Sequence, residues 1–462
     1  MAVLNFIQQV LSTPAIFVGL LALLGLALQK KDAQTMVKGT IKTILGFIVL
    51  NAGASVVQQA IIPFGDLFQL AFGVHGVVPN NEAITSLGLT EYAVQTASIF
   101  ALGMCANIVL ARFSKWKYIF LTGHHALYMS CLIAIILNIA GFEGWMLIVG
   151  GALLLGFVMA LFPALMQPTM RKVTGNDSLA LGHFASSCYW LSAQIGKIFG
   201  CDENTTTTED VKFPKGLSFL RDNTISIAIA MFFCYIIVAG VAVFADPAGT
   251  AEIIGEDNWI LVSVINAITF SAGIYIVLAG VRMLIAEIIP AFKGISEKLV
   301  PNAKPALDCP ILFPYAPNAV LIGFFCSFIG GIVGLGVLAL LGNVGLAVAI
   351  ILPGAVVHFF CGASAGVCGN ATGGLKGCIV GSFIHGIVVT FLAAGLLPVL
   401  GSFGFANTTF SDADFTIVGI IFGNLAKVLN TTTMFAVIVV LFVLPILYNY
   451  TIGAKKSEVK GE

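Results

Sequence analysis

The sequence predicts an all-α polytopic membrane protein, and three observations support this fold class. Hydrophobic residues make up 58% of the 462 residues and charged residues only 10%, whereas a soluble domain carries roughly 25% charged residues. The mean hydropathy is +1.01. Apolar runs also recur at the length of about 20 residues that a helix needs to cross a hydrocarbon layer about 30 Å thick. We therefore expect lipid to surround most of this chain.

Eleven apolar runs are long enough to cross a membrane, so we expect about 11 transmembrane helices. The runs lie near residues 13–29, 43–63, 93–112, 117–139, 143–168, 222–245, 258–288, 319–342, 343–361, 377–397 and 431–450. The first run continues into Lys30 without a small-residue cleavage site, which favours a retained helix over a signal peptide. The pattern predicts one membrane domain over residues 1–450 and a Lys-rich tail over residues 451–462.

The charges in the loops predict the orientation. Lys and Arg gather after the first, third, fifth and seventh runs, whereas the intervening loops carry Asp and Glu without bases. Because basic loops are retained in the cytoplasm, we expect the N-terminus outside and the C-terminal tail on the cytoplasmic side of the membrane. The 22 basic and 22 acidic residues leave no net charge, so nothing indicates a nucleic-acid partner.

Two apolar stretches, residues 73–83 and 308–319, are broken by Pro and Asn and predict re-entrant hairpins. Backbone of this kind survives at membrane depth only where protein or a water-filled cavity satisfies its polar groups. The stretches also indicate a weak internal repeat, over about 10–170 and about 222–397, followed by a last helix at about 431–450. By the charge pattern of the loops, the first stretch starts outside and the second starts inside, so the repeat would be inverted, as in alternating-access transporters. The alternative is that the two Pro-Asn steps occur by coincidence in a Gly-rich membrane protein.

The few ionisable and amide side chains in the apolar runs and the two broken stretches are the candidate binding groups. An unpaired polar group in hydrocarbon is costly, so an intramembrane ionisable residue is a functional candidate. A polyol presents many hydroxyls that need convergent donors and acceptors. The groups that supply them are Asn80, Asn81, Glu82, His124, His183, Asp308 and Asn318. Helix-packing hydrogen bonds are the alternative for the histidines, and tight turns are the alternative for the Pro-Asn steps. For His358 and His385 we favour helix packing.

No spacing in the sequence indicates a catalytic centre, a metal-ligand cluster or a phosphate-binding loop. We therefore predict transport without a cofactor, and no catalysis by the chain alone. An ion-coupled secondary transporter is the main rival, with Glu82, Asp308 or a histidine carrying a proton or sodium ion. A passive channel is a second rival, and a membrane enzyme a third.

Five segments resemble the ascorbate-type EIIC components of the bacterial phosphotransferase system (PTS). They are residues 38–57, 120–125 (FLTGHH), 181–183 (LGH), 222–231 (DNTISIAIAM) and 280–320, which ends in PALDCPILFPYAPNAV. The resemblance implies a core domain beside a V-shaped dimerisation domain, a homodimer and alternating access. It also implies that a separate EIIB subunit, which is itself phosphorylated by EIIA, phosphorylates the solute. The expected solute is L-ascorbate or a related sugar acid, polyol or sugar.

The resemblance places the solute-binding residues at His124, His183 and Asp308. Around them the chain departs from the ascorbate pattern: two family glutamines are replaced by Tyr128 and Phe184, and a family tyrosine by Glu82. These departures remove amide donors and acceptors and add a carboxylate that would repel an anion. The identity of the substrate therefore stays open. The predicted site also includes Tyr128, Phe184 and the Pro317-Asn318 step.

Overall fold

A computed structural model describes residues 14–73, 76–202, 205–211, 219, 222–255, 257–286, 298–344, 346, 348–401 and 408–458. The predicted repeat start near residue 10 and the last four residues of the tail lie outside these ranges. Within them the chain is mostly helical, and seven helices are long and apolar enough to cross a membrane. This confirms a polytopic membrane protein, while the count of eleven spans stays a prediction.

Six of the described helices precede residue 200. They are α1 (Pro14–Leu28), α2 (Ala33–Phe72), α3 (Asn81–Phe113), α4 (Gly123–Ile139), α5 (Gly144–Thr174) and α6 (Ser186–Phe199). At the starts of α2 and α3, capping side chains satisfy free backbone donors. Asp32 accepts a hydrogen bond from the Thr35 N–H at 2.9 Å, and Asn80 accepts one from the Ala83 N–H at 2.7 Å. The break at Pro79-Asn80 therefore starts a helix.

Eight described helices follow. They are α7 (Asn223–Ala245), α8 (Pro247–Ile254), α9 (Trp259–Ile285), α10 (Pro317–Asn343), α11 (Ala355–Val357), α12 (Ala363–Leu396), α13 (Ala413–Val428) and α14 (Thr431–Glu458). A π-helical turn at His358–Gly362 joins α11 to α12. Helices α2, α7 and α9 pack along one another, and the pairs α3–α5 and α10–α12 also pack closely.

Six short strands form two parallel sheets that the sequence did not predict. The strands are β1 (Gly76–Pro79), β2 (Tyr118–Phe120), β3 (Ala180–Leu181), β4 (Lys304–Leu307), β5 (Ile350–Ile351) and β6 (Thr408–Thr409). Their orders are β5-β1-β6 and β2-β4-β3. The central strand of each sheet comes from one half of the chain and both edge strands come from the other half. The halves are therefore interlocked by backbone hydrogen bonds.

Each half repeats one order of elements: a central strand, a helix, an edge strand of the other sheet, helices, and a second edge strand. The second edge strands, β3 and β6, lie beyond residues 170 and 397, where we placed the repeat ends. This succession agrees with an internal repeat. Its boundaries and its inversion across a membrane stay predictions.

The structure differs from the sequence prediction at the ninth apolar run, residues 343–361. Strand β5 occupies its middle, and helix begins only at Ala355. Pro353 lacks a backbone donor. Gly354 lies against β1, and a Cβ there would come within 2.6 Å of the Pro79 carbonyl oxygen. The middle of this run is therefore extended backbone, and only its last part, residues 355–361, is helical.

A charged cluster fixes the loop between α5 and β3. The Asp177 carboxylate accepts hydrogen bonds from Arg171 Nε at 2.8 Å and Gln167 Nε2 at 2.7 Å, and it lies 2.6 Å from the Nζ atom of Lys304, the first residue of β4. These partners hold the pKa of Asp177 well below its ordinary value of 3.8. The cluster connects the first half of the chain to the central strand of the second.

Asp177→Asn is therefore expected to lower the melting temperature of the purified protein at neutral pH. Because the pKa is depressed in the folded protein, the ionised group stabilises it above about pH 4, and this contribution is lost as the pH falls further. The difference between wild type and variant should shrink in acid. Thermal melts at both pH values test this, and a difference that does not change with pH would contradict it.

Candidate functional site

One polar cavity of about 150 Å³ lies where the carboxyl ends of the strands meet. Each of the six strands is followed within a few residues by a side chain that lines this cavity. These residues are Asn81 and Glu82 after β1, His124 and His125 after β2, His183 after β3, Asp308 after β4, Val356 after β5 and Asp412 after β6. Parallel strands bring their successors to one edge, so distant segments converge here.

Asp308 lies between two of the predicted histidines. Its Oδ2 is 3.5 Å from His124 Nε2, and its Oδ1 is 3.7 Å from His183 Nε2. Asp308 also caps the 3-10 turn Cys309–Tyr315 by accepting the Cys309 N–H at 2.7 Å. The side chains of His124 and Asp308 are 24% and 36% exposed, so a solute can reach them. Three residues predicted from separate segments thus form one group.

Glu82 and Asn81 occupy the first turn of α3, on another wall of the cavity. Glu82 is buried, and among the described residues its Oε2 atom has no hydrogen-bond partner. Asn81 Oδ1 accepts the Ser411 N–H at 2.8 Å, which fixes the segment before α13. Asn80 points into the turn as the cap of α3 rather than into the cavity. An unmatched buried carboxylate oxygen favours a ligand that can donate to it.

Three lining residues with charged or imidazole side chains, His125, Asp412 and Arg282, were missed as site residues. His125 Nδ1 accepts the Phe184 N–H at 3.3 Å, and its Nε2 lies 3.9 Å from Asp412 Oδ2. Asp412 in turn accepts the Ser411 hydroxyl at 2.7 Å. Adjacency to His124 was the signal for His125. Asp412 stands in a short polar segment, SDAD, outside the eleven apolar runs, which gave no reason to place it at the cavity.

Tyr128 and Phe184 lie behind the cavity wall. Both are buried, and neither lines the cavity. The Tyr128 ring lies 5.8 Å from the His124 ring, and the Phe184 ring stacks on Phe120 at 4.6 Å. Through the Phe184 N–H, this layer also orients His125. Tyr128 and Phe184, the two departures from the ascorbate pattern, therefore pack behind His124 and His125 and outside the cavity lining.

The structure does not bring Pro317 and Asn318 to the cavity. Asn318 Nδ2 donates to the carbonyls of Thr208 and Val211, and its backbone N–H donates to Glu209 Oε1 at 2.8 Å. This amide holds the loop at residues 205–211 against the start of α10.

His358 and His385 do not line the cavity either. The Nδ1 atom of each ring lies 2.8 Å from the Ser327 hydroxyl oxygen on α10.

Two features hold His183 in place. Its Nδ1 is 3.0 Å from the Tyr189 hydroxyl. One turn onward, the buried Asp414 carboxylate on α13 accepts the N–H groups of Ser186 at 2.8 Å and Ser187 at 3.0 Å. These are free donors at the start of α6, so α13 in the second half of the chain supports the histidine of the first half.

Gly182, the residue before His183, packs against β4. Its N–H donates to the Leu307 carbonyl at 2.7 Å, and a Cβ on it would lie 2.5 Å from the Ala306 carbonyl oxygen. Gly182→Ala should therefore push β3 away from β4 and move His183 away from Asp308. We expect about tenfold or greater loss of solute affinity with the protein still inserted, because small misplacements in a preorganised site are costly. Equilibrium binding measures this, and unchanged affinity would contradict it.

The cavity joins three carboxylates, three imidazoles and the Arg282 guanidinium. These groups donate to and accept from hydroxyls in several directions, as a polyhydroxylated solute requires. Fold and cavity together define a multi-pass membrane protein with an internal polar cavity.

The chain belongs to the EIIC-GAT family, the PTS system sugar-specific permease component, whose family model matches residues 9–414. It is also 27% identical over 442 residues to the ascorbate-specific PTS system EIIC component of Mycoplasma pneumoniae (strain ATCC 29342 / M129 / Subtype 1). That alignment covers 84% of this chain and 65% of the relative, so the chain spans less than two thirds of the relative's length. The predicted ascorbate-type resemblance is thereby confirmed.

Proposed function

We propose that this chain is the membrane permease subunit of a phosphoenolpyruvate-dependent phosphotransferase system, and that it carries a small polyhydroxylated solute in the cavity described above. The main supporting observation is that Asp308 lies close to both His124 and His183. Glu82 lines the same cavity, and its Oε2 atom has no hydrogen-bond partner among the described residues. In this proposal the solute hydroxyls replace water as the hydrogen-bond partners of these side chains, so that few buried donors or acceptors are left without a partner.

The proposed transport mechanism is alternating access by two inverted halves. Because each sheet takes strands from both halves, we infer that the sheets move together with the cavity as one body. The helices α2, α7 and α9, which pack together, are proposed to belong to the dimerisation domain of a homodimer. The N-terminus lies outside the inner membrane and the tail in the cytoplasm, where a separate EIIB phosphorylates the released solute.

For the solute itself, we propose a neutral sugar or polyol ahead of the L-ascorbate anion. The cavity contains Glu82, Asp308 and Asp412 but, among the described residues, the single permanent cation Arg282. Unpaired carboxylates repel an anion, and the repulsion grows where water is excluded. The ascorbate-specific relative supports ascorbate as the second candidate.

Glu82→Gln is expected to shift solute preference toward the anion. The amide keeps the size of the side chain and removes one negative charge, so uptake of ascorbate relative to a neutral hexitol should rise by about tenfold. Phe184→Gln is the companion variant, since it restores an amide beside His183. Competition between labelled ascorbate and unlabelled hexitol measures the ratio. An unchanged ratio in both variants would place these residues outside solute selection.

The class of transport is tested in membrane vesicles that contain this chain. Phosphorylated solute should form only when phosphoenolpyruvate and the soluble PTS proteins are supplied. Concentrative uptake driven by a proton or sodium gradient without those proteins would instead support the ion-coupled rival, with Glu82 or Asp308 as the coupling site. Flux that does not saturate would indicate a channel.

A further inference from the structure

A turn with three basic residues, residues 112–117, joins α3 to β2. Arg112 lies in the last turn of α3, and Lys115 and Lys117 follow it. The Nζ atom of Lys117 donates hydrogen bonds to the carbonyls of Ala111 and Arg112, each at 2.9 Å, which satisfies free acceptors at the end of the helix. The side chains of Arg112 and Lys115 are exposed. This basic turn therefore holds three positive charges at one helix end.

The charges of the basic turn are not offset by an acid of the protein. Among the described residues, no carboxylate lies within ion-pair distance of any of the three cations. Asp177, which reaches the same edge of the sheet, is already bonded to Arg171 and Lys304. Like charges that are held close together repel, so a bound anion would stabilise this turn.

The fold does not require cations at this position. In the second half of the chain, the corresponding turn joins α10 to β5. Its residues 344–349 have the sequence VGLAVA, which carries no charge. The three basic residues are therefore a feature of the first turn and not of the repeated architecture.

The basic turn lies beside the end of α14. The Asn449 Nδ2 atom donates to the Phe113 carbonyl at 3.0 Å, and Trp116 packs in one apolar cluster with Ile446. Two of the apolar runs that predict membrane spans end at this level, at residues 112 and 450. Trp beside Lys and Arg at the ends of spans is typical of the depth at which lipid headgroups lie. These contacts indicate that the basic turn lies at headgroup level.

An exposed apolar stripe on α14 leads to the basic turn. Val440, Leu444 and Tyr448 follow one another at four-residue spacing and are 59%, 57% and 48% exposed, so they share one outward face of the helix. The stripe is about 12 Å long at the rise of a helix, which is most of the roughly 15 Å depth of the hydrocarbon in one leaflet. An acyl chain that packs along it places its headgroup beside the basic turn.

From these contacts we propose that the basic turn binds the phosphate of an anionic phospholipid whose acyl chain packs along the stripe on α14. The Arg112 guanidinium donates in a planar fork that matches phosphate oxygens, and the Lys115 ammonium supplies a second charge. Because the apolar stripe is continuous with the turn, a lipid fits this surface better than a soluble acidic protein. The site does not depend on the proposed function, since it precedes β2 whereas the cavity residues follow that strand.

The test titrates the detergent-purified full chain with dioleoylphosphatidylglycerol and counts the lipids that stay bound by native mass spectrometry. Arg112→Gln and Lys115→Gln should each weaken the affinity about fivefold, as expected for the loss of one basic residue at a membrane surface. Lys117 is left in place because it caps α3. Lys427→Gln removes an exposed cation from the last turn of α13 and is the matched control, which should bind as the wild type does.

The same titration with other ligands identifies the source of the phosphate. Dioleoylphosphatidylcholine, which has no net charge, should bind more weakly than the anionic lipid, and glycerol 3-phosphate should not raise the melting temperature. Equal binding of the two lipids, or unchanged affinity in both turn variants, would overturn the proposal. A melting temperature raised as much by glycerol 3-phosphate would assign the turn to a water-soluble phosphate instead. Variants that keep their lipid affinity but lose phosphoenolpyruvate-dependent phosphorylation would assign it to a soluble protein partner.

Discussion

His183→Ala and Asp308→Ala are each expected to reduce solute uptake by about 100-fold or more. Each removes a partner from a cavity in which a polyhydroxylated solute matches every donor and acceptor, and one unmatched buried polar group costs about 1–3 kcal/mol. Asp308→Ala acts twice, since the carboxylate faces both His124 and His183. Initial rates of phosphoenolpyruvate-dependent uptake into vesicles measure the loss. His124→Ala should give a loss of the same kind.

Two controls separate binding from folding in this experiment. Detergent size-exclusion profiles should show that the variants insert and fold as the wild type does. Asp66→Ala removes an exposed carboxylate on α2 that does not line the cavity, and it should transport normally. Wild-type rates in all three cavity variants would remove the site assignment while leaving the family membership intact.

Asp414→Ala is expected to have the largest effect on stability. The substitution leaves the N–H groups of Ser186, which is buried, and Ser187, which is half-buried, without their acceptor. A buried donor without a partner costs about 1–3 kcal/mol. The loss also frees the start of α6 from α13. We expect a fall in the free energy of unfolding of about 2–5 kcal/mol, measured as a lower melting temperature and a lower yield of monodisperse protein.

Asp414→Asn is the matched comparison, because its amide keeps one acceptor oxygen at nearly the same place. It should recover part of the lost stability. Equal melting temperatures for wild type and Asp414→Ala would show that the contact with α6 contributes little. Since Asp414 does not line the cavity, a folded variant should keep more affinity for the solute than His183→Ala does.

Much of the site was predictable because ionisable residues are rare in this chain. Among so many apolar residues, Glu82, His124, His183 and Asp308 stood out by chemistry alone, and the structure places all four at one cavity. The family resemblance pointed to the same histidines and aspartate. Long apolar runs likewise predicted most of the helices, because span length is fixed by the thickness of the bilayer.

The sheets were not predictable, because strands of two to four residues have no periodicity of their own. Ile350–Ile351 has the composition of a transmembrane helix, and only its parallel pairing with β1 makes it a strand. Asp412 was missed for the same reason, since it reaches the cavity only because β6 pairs with β1. Pro317 and Asn318 were predicted to be site residues but do not line the cavity. The Asn318 side chain instead holds the loop at residues 205–211.

The most direct test of the central claim is a structure of the full chain with its transported solute bound. We predict ligand density between Glu82, His124, His183 and Asp308, with solute hydroxyls within hydrogen-bond distance of the Asp308 carboxylate and of the Glu82 oxygen that now lacks a partner among the described residues. Solute bound elsewhere, with these four side chains in contact only with protein and water, would contradict the account.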